Sequence, residues 1–312
     1  MRSTIGRGTF AVLLLRATKY GNRGWSGLMR ERAATPIIHG KTERPLGGAF
    51  LLSHRYVADA RAARLALERL LETDAPHLRD HLPSGFADAA EAYVALLLAT
   101  NERMNLTRVV EPGDVARLHL LDALAALPIV AELAPRRALD LGSGGGVPGL
   151  VLALARPDLA WTLVDSVGRK AEALRGFAEV LGTRNVTVVA DRAEAIGRGP
   201  LRESFDLVTA RACAALPVLA EYALPLAGIG GALLAWKGRV SEEELDAGAR
   251  AARMLGGDSP TLRRSGVPAL GDHRFVVVPK LAPTPALYPR RPGQPSRHPL
   301  PGGRSRPVRI SG

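Results

Sequence analysis

The stretch LDLGSGGGVPG, residues 139–149, places five glycines directly after a short β-type run. Glycine lets the backbone turn with positive φ and lets a ligand approach the main chain without a Cβ in the way. Pro148 suits the first turn of a helix that starts after the loop. Strand, glycine-rich loop and helix in this order indicate a nucleotide-type loop of an α/β protein, whose ligands sit beyond the carboxyl ends of the strands.

Two cofactor classes are compatible with this loop. The spacing Gly142-x-Gly144-x-Gly146 fits methyltransferases that use S-adenosylmethionine, and Gly144-x-Gly146-x-x-Gly149 satisfies the dinucleotide fingerprint. A glycine turn without a ligand is the third interpretation. The loop alone therefore predicts a cofactor site without deciding between the cofactors.

Two aspartates belong to the same candidate site. Asp165 ends the next β-type run, 23 residues after Gly142. A carboxylate there can accept both hydroxyls of an adenosyl ribose, which supports either cofactor, or it can cap the following helix. Asp140 ends the first run, where it can bind backbone amides or the cationic part of S-adenosylmethionine, because an unpaired buried carboxylate is costly. A carboxylate attracts a sulfonium and repels a pyrophosphate, so Asp140 favours S-adenosylmethionine.

Short β-type runs alternate with helical segments after Pro135. The runs are 138–141, 161–164, 186–189, 207–209, 232–236 and 275–278, and the helical segments are 149–155, 169–181, 216–226 and 241–255. This alternation predicts an α/β fold with a doubly wound, mostly parallel, Rossmann-like sheet over 135–282. Helical periodicity in 57–71, 87–100 and 114–133 predicts a helical N-terminal subdomain over 49–134.

Basic residues concentrate at the two ends of the chain. The net charge is +12; residues 1–48 hold nine Lys or Arg against two acids, and residues 280–312 hold seven and no acid. Such basic ends suit a polyanionic partner, because binding releases the cations that were bound to its phosphates. Alternatively, the charged residues simply keep the termini solvated. We expect 1–48 to be a disordered or mis-started extension and the proline-rich 283–312 to be an extended Pro/Arg-rich tail.

Composition excludes several classes of protein. A hydrophobic content of 46% is too high for a disordered chain, and the apolar runs fall short of the ~20 residues that span a membrane. The run 10–15 is too short for a signal peptide, so we expect a cytoplasmic protein without membrane contact. One cysteine excludes a disulfide framework, and the seven histidines show no metal-ligand spacing, so no metal is predicted.

The segments after the third and fourth runs offer further candidates. Residues 191–194, DRAE, suit an adenine contact or a helix cap by Asp191. Arg211 can hold a cofactor, a phosphate or a guanine edge with its bidentate fork, or lie on the surface. The segment lacks the Asn/Asp-Pro-Pro-aromatic sequence of many amino-group methyltransferases, which argues against adenine-amine methylation. Cys213 has no Pro-Cys context or neighbouring base and is interpreted as a packed small residue.

Several short strings, in order between residues 57 and 300, together resemble one family. They are 105–108 (NLTR), 119–122 (HLLD), 139–149, 163–170 (LVDSVGRK), 192–194 (RAE), 211–212 (RA), 236–238 (WKG) and 288–293 (YPRRPG). The chain resembles the bacterial guanine-N7 methyltransferases of small-subunit ribosomal RNA, also known as the glucose-inhibited division protein B family. This resemblance implies an S-adenosylmethionine-dependent methyltransferase of Rossmann-like fold behind a helical region.

The resemblance also implies roles for individual residues. Beside Asp140 and Gly144 from the loop itself, the implied cofactor contacts are Gly142, Val147, Ala193, Glu194 and Arg211, with Asp165 near the ribose. The implied RNA contacts are Arg192, Arg290 and Arg291. Two positions depart from the family pattern: Leu118 replaces an arginine before His119, which affects an expected RNA contact, and Cys213 replaces a phenylalanine, which affects base stacking.

The expected reaction is methylation of guanine N7 in 16S ribosomal RNA, with the small ribosomal subunit as partner. Guanine N7 carries a lone pair and no proton, so in-line methyl transfer needs no general base, and Arg211 and Arg192 are positioning candidates. An NAD-linked oxidoreductase is the alternative enzyme, but no Ser-Tyr-Lys or His-Asp pairing accompanies the loop. A non-enzymatic RNA-binding protein with a vestigial cofactor loop is the other alternative, and S-adenosylmethionine titration discriminates both.

Overall fold

The computed structural model describes residues 13–15 and 50–300. Two short strands, β1 (Leu13–Leu15) and β2 (Phe50–Leu52), pair antiparallel. The rest of the predicted extension 1–48 lies outside the described residues, as does the end of the predicted tail, 301–312. Strands of the main sheet are β3 (Arg137–Leu141), β4 (Ala160–Val164), β5 (Val186–Val189), β6 (Phe205–Arg211), β7 (Ala227–Lys237), β8 (Thr261–Arg264) and β9 (Arg274–Pro279).

The seven strands are ordered β5-β4-β3-β6-β7-β9-β8. The first five are mutually parallel, and β9 runs antiparallel between β7 and β8. The chain leaves β3 toward β4 and β5 on one side, then returns to place β6 on the other side of β3. The carboxyl ends of β5, β4, β3 and β6 therefore meet at one edge, with the reversal of strand order at β3, where α/β sheets bind ligands.

Helices cover both faces of the sheet. They are α1 (His54–Thr73), α2 (Phe86–Met104), α3 (Pro112–Val115), α4 (Asp122–Leu124), α5 (Leu127–Leu133), α6 (Gly149–Ala155), α7 (Gly168–Leu181), α8 (Ala193–Ile196), α9 (Leu216–Ala223), α10 (Glu242–Met254) and α11 (Gln294–Arg297). A π-helical turn, Ala116–Leu121, joins α3 to α4. No helix of the described part is long and apolar enough to cross a membrane.

The side chains of β7 show how the two faces are filled. Leu234 and Trp236 belong to a core shared with the N-terminal helices, α6 and α7. Leu233 and Ala235 point the other way, into a core shared with α9 and α10. This alternation follows from the two-residue period of a strand. The N-terminal helices thus pack directly on one face of the sheet and share its hydrophobic core.

The predicted alternation of strands and helices is confirmed, and every predicted strand is present. Two local differences have physical reasons. The predicted helix 114–133 is interrupted twice. The first interruption is the π-helical turn, and the second comes directly before α5, whose first turn contains Pro128. Strand β8 shows no apolar pattern, because all four of its residues are exposed at the sheet edge.

Candidate functional site

The glycine-rich loop, residues 142–149, connects β3 to α6 at the carboxyl edge of the sheet. The φ values of Gly142, Gly144 and Gly146 are 69°, 54° and 106°, which residues with a side chain rarely adopt. The Tyr93 hydroxyl of α2 donates a hydrogen bond to the Gly145 carbonyl over 2.9 Å. Gly142 is exposed and Gly144 is partly exposed, so their backbone is accessible to a ligand.

Asp165, at the end of β4, holds the loop from the side. Its Oδ2 accepts a hydrogen bond from the Gly144 amide over 2.9 Å, and its Oδ1 accepts one from the Val167 amide over 2.8 Å. The second bond goes to the N-cap residue of α7 itself, and no side chain caps this helix, so the helix-cap interpretation of Asp165 is wrong. Each carboxylate oxygen keeps lone pairs for a further donor. This geometry therefore leaves Asp165 able to accept ribose hydroxyls.

Asp140 is fully buried beneath the loop. Its Oδ1 accepts a hydrogen bond from the Thr209 hydroxyl over 2.7 Å, and its Oδ2 accepts one from the Gly149 amide over 3.2 Å. Burial raises the pKa of Asp140 to about 6, although the Thr209 hydroxyl and nearby Arg211 act in the opposite direction. A carboxylate with this pKa is ionised at neutral pH and gains from a cation bound near the loop.

Gly149 has no room for a side chain. A Cβ there would lie 2.5 Å from Asp140 Cβ and 2.6 Å from Leu163 Cδ2. We expect Gly149→Ala to cost about 1–3 kcal/mol of folding free energy and to weaken cofactor binding, because helix α6 must move away from Asp140. Thermal unfolding of this variant beside Gly113→Ala, whose Cβ meets no atom within 4 Å, tests this. Equal melting temperatures of the two variants would contradict the packing argument.

The end of β5 brings the next predicted residues to the same edge. Arg192 is exposed, Ala193 begins α8, and Glu194 is buried with 4% exposure. Glu194 Oε1 accepts a hydrogen bond from the Gly293 amide over 2.8 Å. The C-terminal segment therefore supports α8, and the Glu194 carboxylate is partly occupied by a backbone donor.

Arg211, at the end of β6, reaches the helical region. Its Nη1 donates hydrogen bonds to the Leu118 carbonyl over 2.6 Å and to Asp122 Oδ2 over 3.1 Å. Its Nη2 lies 3.4 Å from His119 Nδ1. Thus the guanidinium is held by one turn of the π-helical segment and the start of α4, and its side chain remains 21% exposed.

His119 is a neutral member of this cluster. Burial, together with the nearby charge of Arg211, lowers the pKa of His119 to about 4. With Arg211 donating to Nδ1, the Nε2 proton is donated to Thr107 Oγ1, which lies 2.8 Å away. Both ring nitrogens therefore have partners, which leaves no free lone pair for proton abstraction.

Asp122 was not predicted as a site residue, although it lies in the quoted HLLD string. It is buried with 3% exposure, and His273 Nδ1 lies 2.9 Å from its Oδ1. The Trp236 indole donates to its backbone carbonyl over 2.9 Å. The only sequence signal was one carboxylate inside an apolar helical run, whose partners follow 89 and 151 residues later.

Cys213 follows Arg211 after a turn in which Ala212 has a φ of 53°. Its thiol donates to the Leu141 carbonyl over 3.0 Å, and a Cβ on Gly142 would lie 2.8 Å from its sulfur. Desolvation of the thiol and the nearby Asp140 carboxylate raise the pKa of Cys213 to about 12. The sulfur therefore lies against the loop, but Cys213 as a residue is exposed, which corrects its interpretation as a packed small residue.

The two arginines of the C-terminal motif lie in different surroundings. Arg290 forms a bidentate pair with Glu221 of α9, with contacts of 2.8 and 2.6 Å, and Glu221 has no exposed surface. Arg291 is exposed and has no ion pair within residues 50–300. The structure thus brings the loop, Asp165, 192–194 and Arg211 to one edge but turns Arg290 toward the protein.

The residues at this edge fit S-adenosylmethionine. The accessible glycine backbone accommodates a close ligand, and the Asp140 and Asp165 carboxylates match a cation and a ribose. Arg211, at the end of β6, provides a cation to which a carboxylate can bind. A pyrophosphate is less suited, because a buried carboxylate lies directly beneath the loop.

Comparison with known proteins agrees with the cofactor class that this site fits. The family model of GidB, rRNA small subunit methyltransferase G, matches residues 87–266. Ribosomal RNA small subunit methyltransferase G of Deinococcus radiodurans is 47% identical over 209 residues, 66% of this chain and 83% of the relative. The protein of the same name from Moorella thermoacetica is 41% identical over 213 residues, 67% and 88% of the two chains.

Among solved structures, an O-methyltransferase from Bacillus cereus in complex with SAH is 18% identical, with a TM-score of 0.40. The match covers 59% of this chain and 89% of that one. The sequence relatives carry the assignment, because they span most of their own length at high identity. The chain belongs to the rRNA small subunit methyltransferase G family, which confirms the S-adenosylmethionine-dependent methyltransferase that the sequence predicts.

Proposed function

We propose that this protein methylates N7 of a guanine in 16S ribosomal RNA, within the small ribosomal subunit and in the cytoplasm. The observation that carries the proposal is the convergence of the glycine loop, Asp165, residues 192–194 and Arg211 at the carboxyl ends of four adjacent strands. The membership of the family supports the class of reaction, and the basic ends of the chain suit an RNA partner.

Guanine N7 as acceptor requires no general base. When bound, S-adenosylmethionine supplies an electrophilic methyl group. Guanine N7 offers an in-plane lone pair and carries no proton, so this chain has only to align the acceptor with the methyl group. His119 and Cys213, which lie beside and just after Arg211, are held by hydrogen bonds in their neutral forms.

The residues of the site would act by binding and orientation. The loop would contact the cofactor through Gly142, Gly144 and Val147. Asp140 would contribute negative charge, and Asp165 would accept ribose hydroxyls. Catalysis by positioning is worth several orders of magnitude when reacting atoms are held about 3 to 3.5 Å apart. Arg211 or Arg192 would orient the acceptor through guanine O6 or an adjacent phosphate.

Asp140 gives cofactor binding a specific pH dependence. Because its pKa is about 6 without a bound cation, it becomes neutral below that pH and loses its attraction for the cofactor. We expect the dissociation constant of S-adenosylmethionine to rise by up to about tenfold per unit as the pH falls below 6. Calorimetric titration measures this, with Asp140→Asn as the variant that lacks the step. The same dissociation constant at pH 5 and pH 8 in the unaltered protein would contradict the role of Asp140.

The substrate form can be tested with labelled cofactor. Aromatic residues make up only 4% of the chain, so few side chains can stack on bases, and recognition should depend on shape and phosphates. We expect methyl-labelled S-adenosylmethionine to label small subunits that lack the modification, and to label stripped 16S RNA more slowly. Equal rates would contradict the requirement for the assembled subunit.

A further inference from the structure

Arg211 is held on one side only. Its Nη1 donates to the Leu118 carbonyl and to Asp122, and its Nη2 has one contact, with His119 Nδ1. Nη1 carries two protons and both are used. The Nε proton and one Nη2 proton have no partner among residues 50–300. These are the donors with which an arginine binds a carboxylate or a phosphate side-on.

Asp122 binds one end of the Arg211 guanidinium, the end that carries Nη1. Its Oδ2 accepts from Nη1 of Arg211 over 3.1 Å, and this carboxylate is only 3% exposed. A buried carboxylate needs both charge compensation and hydrogen bonds. Here Arg211 supplies the charge, and His273 Nδ1 lies 2.9 Å from the other oxygen. Asp122 and Arg211 therefore depend on each other for their orientation.

Three parts of the fold hold Asp122 in place. Its own backbone belongs to α4, its carbonyl accepts from the Trp236 indole of β7, and His273 immediately precedes β9. Strand pairing places Arg211 beside Trp236 and Trp236 beside Phe275. The carboxylate is thus fixed by the N-terminal helices and by the antiparallel part of the sheet, while Arg211 belongs to the parallel part that carries the cofactor loop.

We propose that Asp122 is a positioning residue for methyl transfer. Asp122 orients Arg211 so that its Nε and Nη2 atoms can donate hydrogen bonds to an anion. This anion would bind at the carboxyl ends of the strands through two of its oxygens. Such a group is present in the carboxylate of the cofactor and in a phosphate of the RNA. The proposal rests on the proposed function for its activity readout, but not for its binding readout.

The test is a double-mutant cycle with Asp122→Asn, Arg211→Ala and the double variant. If Asp122 acts through Arg211, Asp122→Asn alone should reduce the affected binding or rate constant by roughly 10- to 100-fold and should add little in the Arg211→Ala background. Glu132→Gln is the matched control. Glu132 lies on α5 and forms an exposed ion pair with Arg263 of β8. This control should behave like the unaltered protein.

The readouts identify the anion. A cycle that is non-additive in the dissociation constant of S-adenosylmethionine assigns the cofactor carboxylate. A cycle that is non-additive only in the KM for small subunits, with cofactor affinity unchanged, shows that Arg211 binds an RNA phosphate. Additive losses in both readouts, or full activity of Asp122→Asn, would overturn the proposal, since a purely structural carboxylate would cost the same with or without Arg211.

His273→Gln keeps the proposal testable if Asp122→Asn folds poorly. This variant leaves both members of the ion pair and disturbs only the second oxygen of Asp122. It should give a smaller loss, of a few-fold, that also disappears in the Arg211→Ala background. If the unaltered protein methylates no ribosomal RNA, the proposed function fails, whereas the cycle in cofactor affinity still decides the role of Asp122.

Discussion

Replacement of Arg211 by alanine is expected to lower kcat/KM for methyl transfer by roughly 100-fold or more. Arg211 lies at the end of the strand that adjoins β3 and is the cation held at the edge of the site by Leu118 and Asp122. Its removal takes away the bidentate donor and leaves the buried Asp122 carboxylate without its charged partner. The effect is measured with labelled cofactor and small subunits under single-turnover conditions.

Arg211→Lys is the informative companion variant. Lysine keeps the positive charge but cannot donate from a planar fork, so we expect it to recover stability more than activity. Melting temperatures of both variants separate the two effects. An Arg211→Ala protein that retains both its affinity for S-adenosylmethionine and its turnover would remove Arg211 from the site.

Arg290→Ala is expected to destabilise the fold by about 3–5 kcal/mol, because it removes the charged partner of the buried Glu221 and leaves the backbone amide of residue 290 as its remaining donor. Glu221 has no exposed surface, and Arg290 donates to both of its oxygens as well as to the His298 carbonyl. For a chain of this size the loss corresponds to a fall in Tm of roughly 10 °C. Thermal unfolding followed by circular dichroism measures it.

Arg291→Ala is the matched control for that variant. Arg291 is adjacent in sequence and exposed, so its removal should leave Tm nearly unchanged. The comparison decides between two roles of Arg290, because the family resemblance implies RNA contact for both arginines. An Arg290→Ala protein that melts normally but binds RNA less tightly would contradict the role as an internal clamp.

The fold could be predicted because its signals are local. The glycine loop, the alternation of β-type runs with helices and the aspartate that ends β4 each depend on residues close in sequence. Their convergence follows from the rule that parallel strands present their carboxyl ends at one edge. Strand β8 could not be predicted, since its exposed residues carry no apolar pattern.

The partners of charged residues could not be predicted for a different reason. Arg290 meets Glu221 across 69 residues, and Asp122 meets His273 across 151. Nothing in the local sequence distinguishes an arginine that binds RNA from one that neutralises a buried carboxylate. The buried pairs emerge only when helices and strands are packed together, which is why the pairings of Asp122 and Arg290 could not be predicted.

The most direct test of the account is chemical location of the methyl group. Small subunits lacking the modification are incubated with the protein and S-adenosylmethionine, and the extracted RNA is treated with borohydride and aniline, which cleave at N7-methylguanine. We predict one new cleavage site in 16S RNA, absent without cofactor. Methyl incorporation without cleavage would place the methyl group on another atom and contradict guanine N7 as the acceptor.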